Sequence, residues 1–196
     1  MKSLVLAVED SLSESVGRKI ATVTGWNIIE QPRISNGKSK LQKNFSKYCQ
    51  IAKREAVLLI VDMDRPSKAC PCPVALIEEW TGGNAIPPGM FFRIAVREVE
   101  AWLLADHEAM RNLLGGQPKL SSDPDNMEDP KRELLNLLKR VKKYVRDDVV
   151  RVSGSNLFQG VGYNAVLEKW VNDTWSPERA AQRSESLKRA FYRLHG

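Results

Sequence analysis

Histidine is nearly absent from this chain. Only His107 and His195 occur among its 196 residues, which argues against a His-rich zinc site or a two-His metalloprotease. Cysteine is scarce as well. Cys49, Cys70 and Cys72 are an odd set, two of them in a tight Cys-Pro-Cys, and such a set draws no disulfide framework. This usage is that of a reduced, cytoplasmic protein. No apolar run approaches the roughly 18 residues needed to cross a bilayer. The apolar stretch near the N-terminus stops at Glu9, short of the about 7–15 residues of a secretory signal. A dinucleotide fingerprint is missing too. Gly160-x-Gly162-Tyr163-Asn164 has no strand–turn–helix and no third glycine around it, so it reads as a tight loop opening a helix, with Asn164 as its cap. Internal repeats and low-complexity tails are absent. If this chain does chemistry, carboxylates carry it.

What is present describes an ordinary globular protein. Hydrophobic residues make up 42% and charged residues 28%, which argues against wholesale disorder. Thirty Lys and Arg against twenty-four Asp and Glu leave a net charge of +6 and a pI near 9.3. The length suits one α/β domain, or a core with a modest helical extension.

The first half alternates strand and helix signals. Ser3–Val8 is a short apolar run, and Ser11–Val23 follows as a helix with Ser11 or Ser13 as its cap. Trp26–Glu30 reads as a second strand and Leu41–Arg54 as a second helix. Ala56–Val61, AVLLIV, is too apolar for a one-sided strand and suits a central strand buried on both faces. Pro71 opens a third helix through VALIEEW, ended by Gly82 and Gly83. Met90–Val96 reads as a fourth strand, leading into one long helix over Val99–Leu114. This β-α alternation implies a parallel sheet with helices on both faces. After Gly115 the texture changes to a loop, then to helices near Pro130–Tyr144, Asn164–Val171 and Pro177–Leu194, with no further strong strand. The expected organisation is an α/β core over 1–115 and a helical extension over 116–196 packed on it as one structural unit.

Acidic clusters stand at three strand ends: Glu9-Asp10, Asp62-Met63-Asp64 and Glu98-Val99-Glu100. Ligands of open parallel sheets bind beyond the carboxyl ends of the strands, so chain order maps all of these to one edge. In extended backbone, residues two apart share a face, and Asp62 and Asp64 are expected to aim at one point. Two like charges about 4 Å apart repel by roughly 4 kcal/mol at an effective dielectric of 20. A shared proton, an arginine or a cation must offset that. Oxygen-only ligands favour Mg²⁺ or Mn²⁺, and Glu9 is placed to act as general acid or base. The plainer reading of Asp-x-Asp is a helix or turn cap, with Arg65 pairing to either aspartate. Glu98 and Glu100, if helical, lie about 200° apart, so one faces away. Asp106 reads equally well as a surface residue, and His107 as a residue on the helix surface.

A glutamate after the first strand and Asp-x-Asp after the third resemble the TOPRIM pattern of topoisomerases, primases and the overcoming-lysogenization-defect nucleases. The strings IAVREVEAWLLAD, DPKRELLNLL, GVGYN and WSPERAAQRSESLKRA resemble the bacterial family catalogued as domain of unknown function 4276, from about Leu4 to the C-terminus. The resemblance implies a TOPRIM-like (Rossmann-like), mostly parallel sheet of about four strands and a Mg²⁺-dependent phosphoryl-transfer site. By it, Glu9 corresponds to the acid/base glutamate and Asp62 and Asp64 to metal-binding aspartates. Glu98 and Glu100 match the acidic positions of the EVEAW string, assigned here to metal binding and catalysis respectively, and Lys131 matches the DPK lysine. Roles in phage defence beside ATPase partners are implied for the family. Arg65 stands where the family often has glycine.

Basic residues gather on two stretches. Arg33, Lys38, Lys40, Lys43, Lys47, Lys53 and Arg54 lie in a segment without acid, and Lys131, Arg132, Lys139, Arg140, Lys142, Lys143 and Arg146 form a second run with only Glu133 inside it. Such stripes can neutralise phosphates, although most charge runs are simply solvated faces. Lys38, Lys40, Arg65, Arg97 and Lys131 are the candidates for phosphate or nucleic-acid contact. Trp80, Trp102, Trp170 and Trp175 sit in apolar helical patterns and read as core. The expected function is a Mg²⁺-dependent nuclease or related phosphoryl-transfer enzyme. The competing expectations are a non-catalytic module that binds an ATPase or nucleic acid, and a phosphohydrolase acting on nucleotides or phosphoproteins.

Overall fold

The computed structural model describes residues 2–29, 33–35, 37–68 and 70–196. Strands β1 (Lys2–Val8), β2 (Trp26–Ile28), β3 (Arg33–Ile34), β4 (Ala56–Asp62) and β5 (Met90–Ala95) form a five-stranded sheet. Every pairing in it is parallel, in the order β2-β1-β4-β5. β3 continues the column of β2, pairing Ala7 with Arg33 and Val8 with Ile34. The strand expected over Trp26–Glu30 ends at Ile28, and Glu30 lies outside the described residues.

The core follows from alternation along the strands. Leu4, Leu6, Val8, Leu58 and Ile60 face one layer, and Val5, Ala7, Val57, Leu59 and Val61 face the other. β4 is therefore buried on both faces, as its unbroken apolar run requires. On one side, α2 (Lys38–Lys43), α3 (Phe45–Ile51) and α4 (Pro73–Thr81) cover it with Leu41, Phe45, Tyr48, Leu76 and Trp80. On the other lie α1 (Ser11–Val23), α5 (Val99–Ala105), α6 (His107–Leu114), α7 (Pro130–Leu138), α8 (Lys143–Val149), α9 (Tyr163–Asp173), α10 (Pro177–Ala180) and α11 (Glu185–His195). Residues beyond 115 have no separate core: Leu134, Leu167, Trp175 and Leu187 join the cluster that holds Leu6 and Trp102. Trp80, Trp102, Trp170 and Trp175 are all buried in these cores.

Several expected boundaries move, each for a local reason. Asp10, not Ser11 or Ser13, caps α1 by accepting from the Ser13 N–H at 2.8 Å. Pro73 rather than Pro71 opens α4. The helix expected over Leu41–Arg54 breaks at Asn44, and the one over Pro130–Tyr144 breaks after Leu138. The long helix expected over Val99–Leu114 breaks at Asp106, which leaves helical geometry (φ −84°, ψ 83°) and caps α6 through the Ala109 N–H. Asp106 is wholly buried rather than a surface residue. Arg179 grips it with two bonds of 2.9 and 2.7 Å, and the Ser176 N–H adds a third at 2.8 Å. His107 is half-buried, its ring nitrogen 2.8 Å from the Ser121 carbonyl. The helix expected over Pro177–Leu194 is likewise two helices, α10 and α11, with Ser184 capping the second. A strand pair appears where none was expected: β6 (Val150–Ser153) and β7 (Asn156–Gln159) form an antiparallel hairpin. Gly154, at φ 59°, turns it.

Candidate active site

The chain leaves β1 toward β2 on one side and returns as β4 and β5 on the other. The switch point of the sheet therefore lies between β1 and β4, where open parallel sheets form their crevice. Glu9 leaves the carboxyl end of β1, and Asp62 is the last residue of β4. A Glu9 carboxylate oxygen accepts the Asp62 N–H at 3.1 Å. Asp62 in turn accepts the Val99 N–H at 3.0 Å, one of the amides that the first turn of α5 leaves without a helical partner. Glu9 and Asp62 thus tie the ends of β1 and β4 to the start of α5.

Both carboxyls are hard to ionise. Burial pushes Glu9 up to about 7, against a lowering by its bond to the Asp62 amide. Burial pushes Asp62 well above the usual carboxylate range, and the facing charges of Glu100, Glu9, Asp10 and Asp64 push it further. Glu98 is raised by burial and by Glu100. It stands at the head of α5 and accepts the Lys131 N–H from α7 at 3.1 Å.

Asp62 and Asp64 do not aim at one point. The chain turns out of the strand after Met63, and Asp64 takes φ 61°. It is exposed and bonds Lys38 at 2.8 Å. The Lys38 ammonium also donates to the carbonyls of Asp62 at 2.6 Å and Met63 at 3.1 Å. Arg97, after β5, is left-handed as well, at φ 70°. The Asp64 N–H donates to its carbonyl at 2.7 Å, which clamps the two loops together. Such backbone in non-glycine residues costs about 1–3 kcal/mol each, and strain of this kind collects at functional sites. The Arg97 side chain turns away to the Met127 carbonyl at 3.2 Å. Arg65 pairs with neither aspartate: it is exposed, and its guanidinium lies 3.6 Å from Asp129. Lys40 is exposed on α2, and among the described residues no hydrogen bond or ion pair joins it to the cluster.

Glu100 sits on the inner side. It is only 2% exposed, faces the Lys131 ammonium at 3.4 Å, and accepts the Tyr163 hydroxyl at 3.1 Å. Burial disfavours the charge on Lys131, but Glu100, Glu98 and Asp10 outweigh it and raise its pKa. Tyr163 is a residue that sequence reasoning did not select. Its one signal is its place in the GVGYN string, directly before a helix. That string has a structural use. A Cβ on Gly160 would stand 2.0 Å from the Asp148 carbonyl oxygen, and one on Gly162 would meet the Asp148 carboxylate. Only glycine lets α9 start so close to α8. Asn164 does not cap α9; its amide donates to the Ser11 hydroxyl at 3.2 Å.

Glu9, Asp62, Glu98, Glu100, Lys38 and Lys131 thus meet at one edge, while Arg65, Arg97 and Lys40 are not drawn into it. Oxygen donors of this kind suit a hard divalent cation. Among the described residues, however, no three acidic, histidine or cysteine side chains converge into a ready cation cage. Cys70 bonds Glu79 through sulfur at 2.6 Å. Among the described residues no helix is long and apolar enough to cross a membrane.

The family described as Domain of unknown function (DUF4276) matches residues 7–169, and the chain belongs to that family. No curated protein matches the chain, and no solved structure matches it.

Proposed function

We propose that this DUF4276 member is a Mg²⁺- or Mn²⁺-dependent phosphoryl-transfer enzyme acting on nucleic acid, a nuclease on a TOPRIM-like version of the parallel sheet. The observation that carries this reading is the pair Glu9 and Asp62 at the switch point, bonded to one another, desolvated and facing further carboxylates. Clustered carboxylates that resist ionisation are a frequent mark of a functional site. A divalent cation would offset the burial and the facing charges that now raise them. The donor set fits such an ion in kind, being all oxygen. Asp62 would hold it, with Glu9 and Asp64 as neighbouring carboxylates, and Glu98 and Glu100 behind them. When bound, the ion would neutralise charge on a phosphoryl oxygen.

The chain's own residues supply the rest of the chemistry. Glu9, held at about 7, can keep or release a proton near neutral pH, as general acid–base work requires. Lys38 and Lys131 bring positive charge to the two sides of the carboxylates and would orient a phosphodiester against them. Tyr163 and Lys131 hold Glu100 in place. A role in phage defence beside an ATPase partner belongs to the same proposal and is carried by the family resemblance alone.

One observation favours a second reading, a non-catalytic module that binds an ATPase or nucleic acid. Lys38 and Lys131 already neutralise Asp64 and Glu100 from within, and Asp62 also serves as a cap for α5. Cleavage of plasmid, single-stranded DNA and RNA with Mg²⁺ or Mn²⁺ separates the two. Metal-dependent cleavage is expected, lost in Asp62→Ala and in Asp62→Asn, the second of which keeps an oxygen for the Val99 amide. Undiminished cleavage by both variants overturns the site. Failure of the wild type to bind Mg²⁺ at millimolar concentration favours the second reading.

A further inference from the structure

The β6–β7 hairpin makes no bond to the carboxylates, yet its second strand packs against α7, the helix that carries Lys131. Between them lies a cavity of about 320 Å³. Lys131 and Arg132 line it from the helix, and Asn156, Leu157 and Phe158 from the hairpin. This volume is near the low end for ligand sites, which run from about 300 to 1,000 Å³. It suits a single nucleotide unit rather than a helix of nucleic acid.

The chemistry of the walls is specific. Leu157 turns inward and packs on the main core. Phe158, its neighbour, faces the other way and is 42% exposed. An aromatic ring left in water on a short hairpin does no core work. Its cross-strand partner is Arg151, whose guanidinium lies over the ring, 5.5 Å from its centroid. Cations stacked on rings and bases stacked on rings are the two elements of sequence-tolerant single-strand binding. The acid in the wall is already engaged: Asp129 accepts the Arg132 N–H at 2.9 Å and faces Arg65. At the head of α8, Lys142, Lys143 and Tyr144 are all exposed, while Asp147 and Asp148 stand at its far end. Basic residues with aromatics among them are therefore present here, in a segment whose sequence carries no RNA-binding signature.

Lys131 belongs to both places. Its ammonium reaches Glu100 at 3.4 Å, and the same residue walls the cavity. A phosphate drawn to Lys131 and Arg132 would stand next to the carboxylate edge while its base lay toward Phe158. We propose that this hairpin cavity binds single-stranded nucleic acid, stacking one base on Phe158 beside Arg151 and placing the adjoining phosphate on Lys131 and Arg132. The strand is single because the face of a paired base is covered by its stacked neighbours, so Phe158 cannot reach it in a duplex. The inference rests on the phosphodiester reading above and names its substrate.

The test is fluorescence anisotropy with labelled oligodeoxythymidylate and oligouridylate of roughly 15 nucleotides, and with a duplex of the same length. Phe158→Leu keeps apolar bulk on the hairpin but has no ring face, and Phe158→Trp restores one. Loss of one stacked base is worth roughly a 5- to 150-fold weaker Kd for Phe158→Leu on single strands, with little change on duplex and recovery in Phe158→Trp. Arg132→Gln should lower the slope of log K against log salt by about 0.7 on single strands. The oligodeoxythymidylate and oligouridylate arms show which sugar is preferred. Equal single-strand affinity of Phe158→Leu and wild type overturns the proposal, as does an equal loss on duplex. Cleavage by wild type, assayed in parallel with binding, distinguishes the two levels: cleavage without Phe158-dependent binding removes the surface and leaves the enzymatic reading. If wild type cleaves nothing while Phe158-dependent binding is present, the enzymatic reading fails and the binding surface stands.

Discussion

Replacing Glu9 by glutamine should make the protein more stable at pH 8 and leave its stability unchanged at pH 4. Glu9 accepts the Asp62 amide and faces Asp64, Asp10 and Lys38, the last being the cation among them. Burial is the largest influence and holds the carboxyl at about 7, against an ordinary value of 4.5. The folded protein therefore binds this proton more tightly than the unfolded chain does. Stability from the protonated carboxyl is full below about 4.5 and is lost as pH rises through about 7. The ionised form costs the fold up to about 3 kcal/mol. Solvent reaches part of the side chain, which lowers that to about 1–2 kcal/mol. Glutamine keeps an oxygen for the Asp62 N–H and carries no charge, so it escapes this cost.

For a chain of this size, 1 kcal/mol moves Tm by about 2–4 °C. Glu9→Gln should therefore melt roughly 2–8 °C above wild type at pH 8, and the two curves should converge by pH 4. Thermal melts across that range, without divalent ions, are the assay. Wild type melting above Glu9→Gln at pH 8 refutes the reasoning, because it would mean that Lys38 stabilises an ionised Glu9 more than burial penalises it. A variant that gains stability while losing metal-dependent cleavage would show why a costly carboxyl is kept at this edge.

Two further outcomes test the frame around the site. Asp106→Ala removes a wholly buried carboxylate and strands Arg179 beside the Ser176 and Ala109 amides; the loss should be about 3 kcal/mol, read as a Tm lowered by roughly 6–12 °C. Arg179→Met removes the cation as well, so a double variant milder than Asp106→Ala is expected, and a harsher one argues against the pair. Gly160→Ala drives a methyl into the Asp148 carbonyl, and overpacking against backbone should cost about 1–3 kcal/mol; an unchanged denaturation midpoint would mean that the α8–α9 junction yields freely.

The sheet was legible because its signal is coarse. AVLLIV admits few fates other than a strand covered on both faces, and chain order then carries Glu9, Asp62 and Glu98 to one edge. The directions of the side chains were not legible, because long-range bonds set them. Two-residue alternation makes Asp62 and Asp64 neighbours only while the strand continues. The strand ends at Asp62, and a left-handed Asp64 clamped to Arg97 sends the second carboxylate to Lys38. Asp106 read as surface because the arginine that claims it lies 73 residues away. The hairpin escaped notice because only four residues per strand carry its alternation, and its turn is the Gly154-Ser155 pair within a polar stretch.

Glu100 explains why the family resemblance extends so far beyond the strands. The EVEAW string supplies the carboxylate, the DPK string supplies Lys131, and the GVGYN string supplies Tyr163. Three separated strings are thus drawn to one buried acid. Asp106 repeats the arrangement one turn and a break later: the end of EVEAWLLAD meets Arg179 of WSPERAA. A helical extension that merely covered the sheet would need apolar faces and nothing more. This one also returns a cation to each of two buried carboxylates of the core half. Losing only the Lys131 ammonium and the Tyr163 hydroxyl would leave Glu100 buried without either partner, which is costly for any buried charge. The carboxylate edge and the C-terminal helices therefore stand or fall together, and the site belongs to the whole chain rather than to its first 115 residues.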